Sequence, residues 1–204
     1  AVHNLSVGGY CIVGVLASTW LTALIFSGLR IVKSRHELLD AAAPGIAFVI
    51  AMIRFSDFFS DTCRGKVTLT NPNYMKLPIG AKMQLDGLNE YRFAVFFVSF
   101  AFMLLVMIIL VVFHMKNMAM KYHTPAMENG YTYGMFLLLY CGMEILVDSI
   151  RYDATHLFFS GEKLAELNKG ASFMGLSQFI SALTLIYLFV YYMIMAGKAF
   201  GRNK

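Results

Sequence analysis

Five stretches of roughly twenty mostly apolar residues, separated by polar connections, restrict this chain more than any other feature. In hydrocarbon every backbone amide must find its partner within the chain, so each stretch has to be helical. The expected spans run from about Gly8 to Leu29, Ala42 to Ser60, Ala94 to Phe113, Tyr131 to Ile150 and Phe173 to Ala196. The fold class that follows is all-α, a polytopic membrane helix bundle of about five segments with an extracytoplasmic loop region. Composition agrees: 58% of residues are hydrophobic and 14% charged, where soluble domains carry about 25% charged residues. A length of 204 residues suits one integral-membrane domain, 1–204.

The net charge of +5 lies in short clusters at segment ends and not in a long basic run, so nucleic acid is not an expected partner. Cys11, Cys63, Cys141 and the five histidines show no metal-ligand spacing, and neither a metal nor a cofactor is expected. There is no Walker loop, dinucleotide fingerprint or Gly-x-Ser-x-Gly elbow. The chain opens at Ala1 without a discernible signal peptide, as a processed or truncated chain would.

Loop charge suggests an orientation. Arg30 to Arg35, Lys116 to Lys121 and the tail from Lys198 to Lys204 are short and densely basic, which places them in the cytoplasm. The longer connections, Asp61 to Arg92 and Arg151 to Ala171, then face outward. Residues 61–92 carry turn signals at Gly65, Asn71-Pro72-Asn73, Pro78, Gly80 and Gly87, and read as an extracytoplasmic cap.

Charges inside the apolar stretches mark candidate chemistry. Arg54 sits within the second span, where a guanidinium costs roughly 3 kcal/mol on insertion scales. It calls for an anion: Asp57, three residues on, another acid of the bundle, or a bound phosphate, which a guanidinium fork suits. In the fourth span Glu144, Asp148 and Arg151 share one helical face. Two carboxylates one turn apart repel, and one of them can retain a proton and serve as a general acid or base. The same stripe can equally be a salt-bridged packing feature. Ser177 and Gln178 read as helix-packing residues.

These residues resemble a known family. Leu39-Asp40-x-x-x-Pro44, then Arg54-Phe-Ser-Asp57-Phe58, then Gly65, is similar to the signature of bacterial prolipoprotein diacylglyceryl transferases, where an arginine precedes Gly-Asn-Phe and a later Gly. Tyr140-Cys-Gly142, Asp148-Ser-Ile-Arg151 and Met174-Gly-Leu-Ser-Gln178 resemble that family's closing helices. Asn89-Glu-Tyr-Arg-Phe-Ala-Val-Phe96 is similar to short relatives in Gram-positive bacteria. The resemblance implies transfer of diacylglyceryl from phosphatidylglycerol, an anionic phospholipid, to a preprolipoprotein lipobox cysteine. It also implies a multi-pass protein of the bacterial cell membrane whose active face points outward. Arg54 and Arg151 would hold the lipid phosphate, with Asp57, Glu144 and Asp148 as the catalytic candidates. Departures stand beside it: the family's His-Gly-Gly has no histidine counterpart at Gly8-Gly-Tyr-Cys, Asp57 stands for its asparagine, and Glu144 for an arginine of its closing helix. Two other readings stay open, a non-catalytic lipid-binding or accessory subunit and a small transporter, the latter weakened by the lack of an internal repeat.

Overall fold

A computed structural model describes residues 8–32, 34–60, 62–85, 88–121, 130–152 and 176–202. Within them the chain forms the expected helix bundle. Its helices are α1 (Gly8–Gly28), α2 (Arg35–Ser56), α3 (Val95–Lys121), α4 (Tyr131–Ile150) and α5 (Leu176–Arg202). Between α2 and α3 lies an antiparallel hairpin of β1 (Gly80–Leu85) and β2 (Leu88–Phe93), with Gly80 opposite Phe93 and Leu85 opposite Leu88. Four helices are long and apolar enough to cross a membrane: Arg35–Ser56, Val95–Lys116, Tyr131–Ile150 and Ser177–Ile194. α1 adds a shorter apolar stretch, Gly14–Gly28.

Two boundaries differ from the hydropathy reading. α2 begins at Arg35, seven residues before Ala42, because the polar Arg35-His36-Glu37 turn continues into buried Leu39 and Ala43. It ends at Ser56, so Asp57 is the residue that caps it. α3 continues past Phe113 to Lys121, carrying its polar end beyond the apolar core. Most of the connection from Arg151 to Ala171 lies outside the described residues, as do His3, His123 and His156.

α2 is the central helix, packed against α1, α3 and α4, and α5 packs on α4. Ala43, Ala47 and Ala51 recur every four residues on one face of α2 and are fully buried with Ile50. Small residues at that spacing let helix backbones approach closely where no hydrophobic effect drives association. Met103, Val106 and Leu110 of α3 and Phe136, Tyr140 and Val147 of α4 complete this core. Outward, Leu105, Ile108 and Val112 of α3 and Leu183, Ile186 and Phe189 of α5 are exposed, a surface that only lipid would solvate.

Contacts along the helices establish an alternating topology. Asp40 near the start of α2 bonds Gly130 and Tyr133 at the start of α4, while Arg54 near the end of α2 bonds Glu144. α2 and α4 are therefore parallel. His114 of α3 reaches Thr132 at the start of α4, and Gln178 at the start of α5 donates to the Ile145 carbonyl at 2.9 Å. One end of the bundle thus gathers the basic connections, and the other gathers the hairpin with Arg54, Asp57, Asp148 and Arg151.

Close approach constrains Gly134. A methyl group at Gly134 would collide with the Tyr192 hydroxyl, which packs onto α4 where there is no side chain. Gly134→Ala should cost about 1–3 kcal/mol by overpacking. Thermal unfolding in detergent checks this, and Tyr192→Phe in the same background should recover part of the loss.

Candidate functional site

Four buried arginines, Arg54, Arg64, Arg92 and Arg151, and three buried carboxylates, Asp57, Glu144 and Asp148, collect where α2 and α4 approach the hairpin. Arg54 is fully buried, and its Nη2 donates to both carboxylate oxygens of Glu144, at 2.8 Å and 2.6 Å. Its Nη1 lies 3.6 Å from Asp57 Oδ2 and 3.9 Å from the Cys63 sulfur. Thr62 donates from its hydroxyl to Asp57 Oδ1 at 2.8 Å. Asp57 thus sits beside Arg54, as its spacing suggested, and Glu144 is the acid closest to the guanidinium. On α4, Arg151 Nη1 donates to Asp148 Oδ1 at 3.3 Å, both side chains being buried. Glu144 and Asp148 each face a guanidinium of their own, which relieves the repulsion expected between them.

Arg64 is a buried arginine of this cluster that sequence reading did not single out. It is 2% exposed, with Nη2 donating to the Phe58 carbonyl at 3.1 Å and its Cζ 4.4 Å from the Phe96 ring centroid. Its signal was adjacency: Cys63-Arg64-Gly65 closes the motif that begins at Arg54. Segment 62–66 is stitched on both sides. Gly65 donates to the Phe93 carbonyl at 2.9 Å, and Phe96 donates to the Cys63 carbonyl at 3.0 Å. On the other side Lys66 donates to the Ile150 carbonyl at 2.9 Å and Tyr152 to the Arg64 carbonyl at 2.7 Å. A methyl group at Gly65 would press on Phe93 Cβ at 2.8 Å, so glycine is what allows the hairpin to close on this strand. Arg92 supports the same layer, donating to the Gly65 and Lys66 carbonyls and stacking 4.0 Å from the Tyr152 ring centroid.

Two hollows adjoin the cluster. A cavity of about 40 Å³ lies beside Glu144, between Tyr140, Cys141, Ser177, Ser181 and Thr184. It suits one or two waters and not a headgroup. Outside, an apolar groove of about 430 Å³ runs between α3 and α4 from Phe102 and Leu138 up to Ile150, next to Arg151. Its lining is apolar apart from Ser99. Gln178 joins α5 to α4, as read from the sequence, and Ser177 lines the small cavity.

Comparison with known proteins places this geometry in context. Residues 1–195 match the family model described as prolipoprotein diacylglyceryl transferase. The chain is 25% identical over 150 residues to a phosphatidylglycerol–prolipoprotein diacylglyceryl transferase of Lactococcus lactis, an alignment covering 74% of this chain and 53% of that protein. It is 26% identical over 151 residues to the protein of the same name from Streptococcus agalactiae serotype Ia, covering 74% of this chain and 54% of the other. The chain spans about half the length of the curated relatives it matches. No solved structure matches it.

Proposed function

We propose a function from one premise: the chain belongs to the prolipoprotein diacylglyceryl transferase family. Its proposed activity is transfer of a diacylglyceryl group from phosphatidylglycerol to a lipobox cysteine of a preprolipoprotein, at the membrane face that holds the hairpin. By the basic connections at the opposite end, that face is the outward one. The observation that supports this reading is the gathering of Arg54, Arg64 and Arg151, all buried, at the end of the bundle toward which the apolar α3/α4 groove runs.

The chemistry follows from the pairing of Arg54 with Glu144. A lipid phosphate arriving along the α3/α4 groove competes with Glu144 for the Arg54 Nη2 and meets Arg151 at the groove's end. Guanidinium hydrogen bonds to phosphate are charge-assisted, and they strengthen as the leaving group gains charge. Displaced from its cation, Glu144 becomes a better base and takes the thiol proton, with Asp57 or Asp148 as relays. The thiolate sulfur bonds to the glycerol carbon that bore the phosphate. The carbon–oxygen bond to phosphate breaks, and glycerol phosphate leaves with that electron pair.

Complete burial of Arg54 against Glu144 also favours a second reading: a lipid-binding or accessory member that retains the fold with its clamp closed. One assay separates them. The purified chain is placed in phosphatidylglycerol-containing bilayers with a lipobox peptide, and the peptide mass is followed. A diacylglyceryl mass shift is expected, falling by about 100-fold or more in Arg151→Ala and in Arg54→Ala. A peptide left unmodified while phosphatidylglycerol remains bound would leave the accessory reading in its place.

A further inference from the structure

A chamber with apolar outlets lies at the opposite end of the bundle. Between α1, α2, α4 and α5 is a chamber of about 340 Å³ whose walls include Trp20, His36, Tyr133, Tyr187, Tyr191 and Tyr192. Trp20 and Tyr187 are 46% and 66% exposed, so in a bilayer the chamber opens sideways, toward lipid. Arg35 stands at the rim with its guanidinium carbon 5.9 Å from the Trp20 ring centroid.

Two apolar grooves leave this chamber. One shares Leu188 and Tyr192 with it and runs between α4 and α5 to Leu138 and Leu185. The other shares Leu39 and runs between α1 and α2 to Val15 and Val49. α4 and α2 leave the basic end with rising residue number, and α1 and α5 arrive at it. Both grooves therefore lead from the chamber toward the middle of the membrane. A polar-rimmed chamber with two apolar channels descending from it matches a diacyl lipid, and the cation at its rim matches an anionic headgroup.

We propose that this chamber and its two grooves bind one anionic diacyl phospholipid of the leaflet at the basic end, with the phosphate at Arg35 and His36. The site is separate from the arginine cluster: Leu39 and Arg54 are fifteen residues apart on α2, or about 22 Å at helical rise. The inference does not depend on the transferase reading. Tyr and Trp side chains suit the glycerol level, where one edge of the ligand is apolar and the other wet.

The test uses the whole chain in detergent micelles, titrated with phosphatidylglycerol or with phosphatidylcholine of the same chains, the bound lipid being counted by native mass spectrometry. Phosphatidylglycerol is expected to bind roughly tenfold tighter than phosphatidylcholine. Arg35→Glu, a change at an exposed rim that leaves the core untouched, should weaken phosphatidylglycerol by at least about tenfold. Free glycerol phosphate at millimolar concentration should not displace it. A benzophenone side chain introduced at Tyr187 should crosslink to lipid well above one at Leu105, on the outer face of α3. Equal affinity for the two lipids, an unchanged Arg35→Glu titration, displacement by glycerol phosphate, or equal crosslinking at the two positions would each overturn the proposal.

Discussion

Glu144→Ala should destabilise the bundle by about 3–5 kcal/mol, measured by thermal or denaturant unfolding in detergent, because it removes the carboxylate that pairs with a buried guanidinium. Arg54 is fully buried, and without Glu144 the acid left beside it is Asp57, at 3.6 Å from Nη1. Glu144→Gln keeps the shape and one acceptor oxygen, so it should lose less than Ala. Replacing both partners with apolar residues, Arg54→Met with Glu144→Leu, should recover most of the loss, since well-packed apolar groups replace buried ion pairs at little cost. The double-mutant cycle then gives a coupling energy well above the few tenths of a kcal/mol expected of independent sites. A single Glu144→Ala variant as stable as the parent would show that the pair does not hold α2 to α4. The doubly apolar protein also answers a functional question. If it folds and still transfers lipid, Arg54 is not the phosphate clamp; if it folds and transfers nothing where the parent does transfer, the charges serve chemistry.

The sequence showed the bundle because lipid imposes a length and a composition that each span states locally. It showed Arg54 and Asp57 as neighbours because helical spacing is also local. The pairing of Arg54 with Glu144 crosses ninety residues, and no periodicity reports which of several intramembrane acids a guanidinium meets. Arg64 stayed hidden for a related reason: it lies outside any helical stretch, in a segment read as loop, and its burial comes from contacts with Phe58 and Phe96 that no local pattern announces. The hairpin itself had a signal. Asp86-Gly87 between two strand-like runs is a tight-turn dipeptide, outweighed there by the other turn residues of 61–92. The chamber at the basic end had none, since its walls come from four helices that no local pattern brings together.

Asp40→Ala should cost about 2–4 kcal/mol, the second large effect, through a helix cap supplied by another helix. α4 starts at Gly130, which has φ of +109° and no side chain with which to cap its own helix. Asp40 of α2, 4% exposed, does this instead: Oδ2 accepts from the Gly130 amide at 2.6 Å and Oδ1 from the Tyr133 amide at 2.8 Å. A carboxylate also complements the positive end of the α4 dipole. Removing it leaves two amides at a buried helix start without their acceptor, whereas Asp40→Asn retains one acceptor oxygen and turns an amide donor toward a donor. The asparagine variant should therefore fall closer to alanine than to the parent. Amide exchange at Gly130 and Tyr133 should quicken in both variants, while that at Met143 and Val147 should follow only the global loss. Asp40 and Arg54 are about 21 Å apart along α2, so Asp40→Ala and Glu144→Ala should add to within about 0.5 kcal/mol. Strong non-additivity would mean that α2 and α4 move as one rigid unit, and that loosening the cap at one end already opens the ion pair at the other.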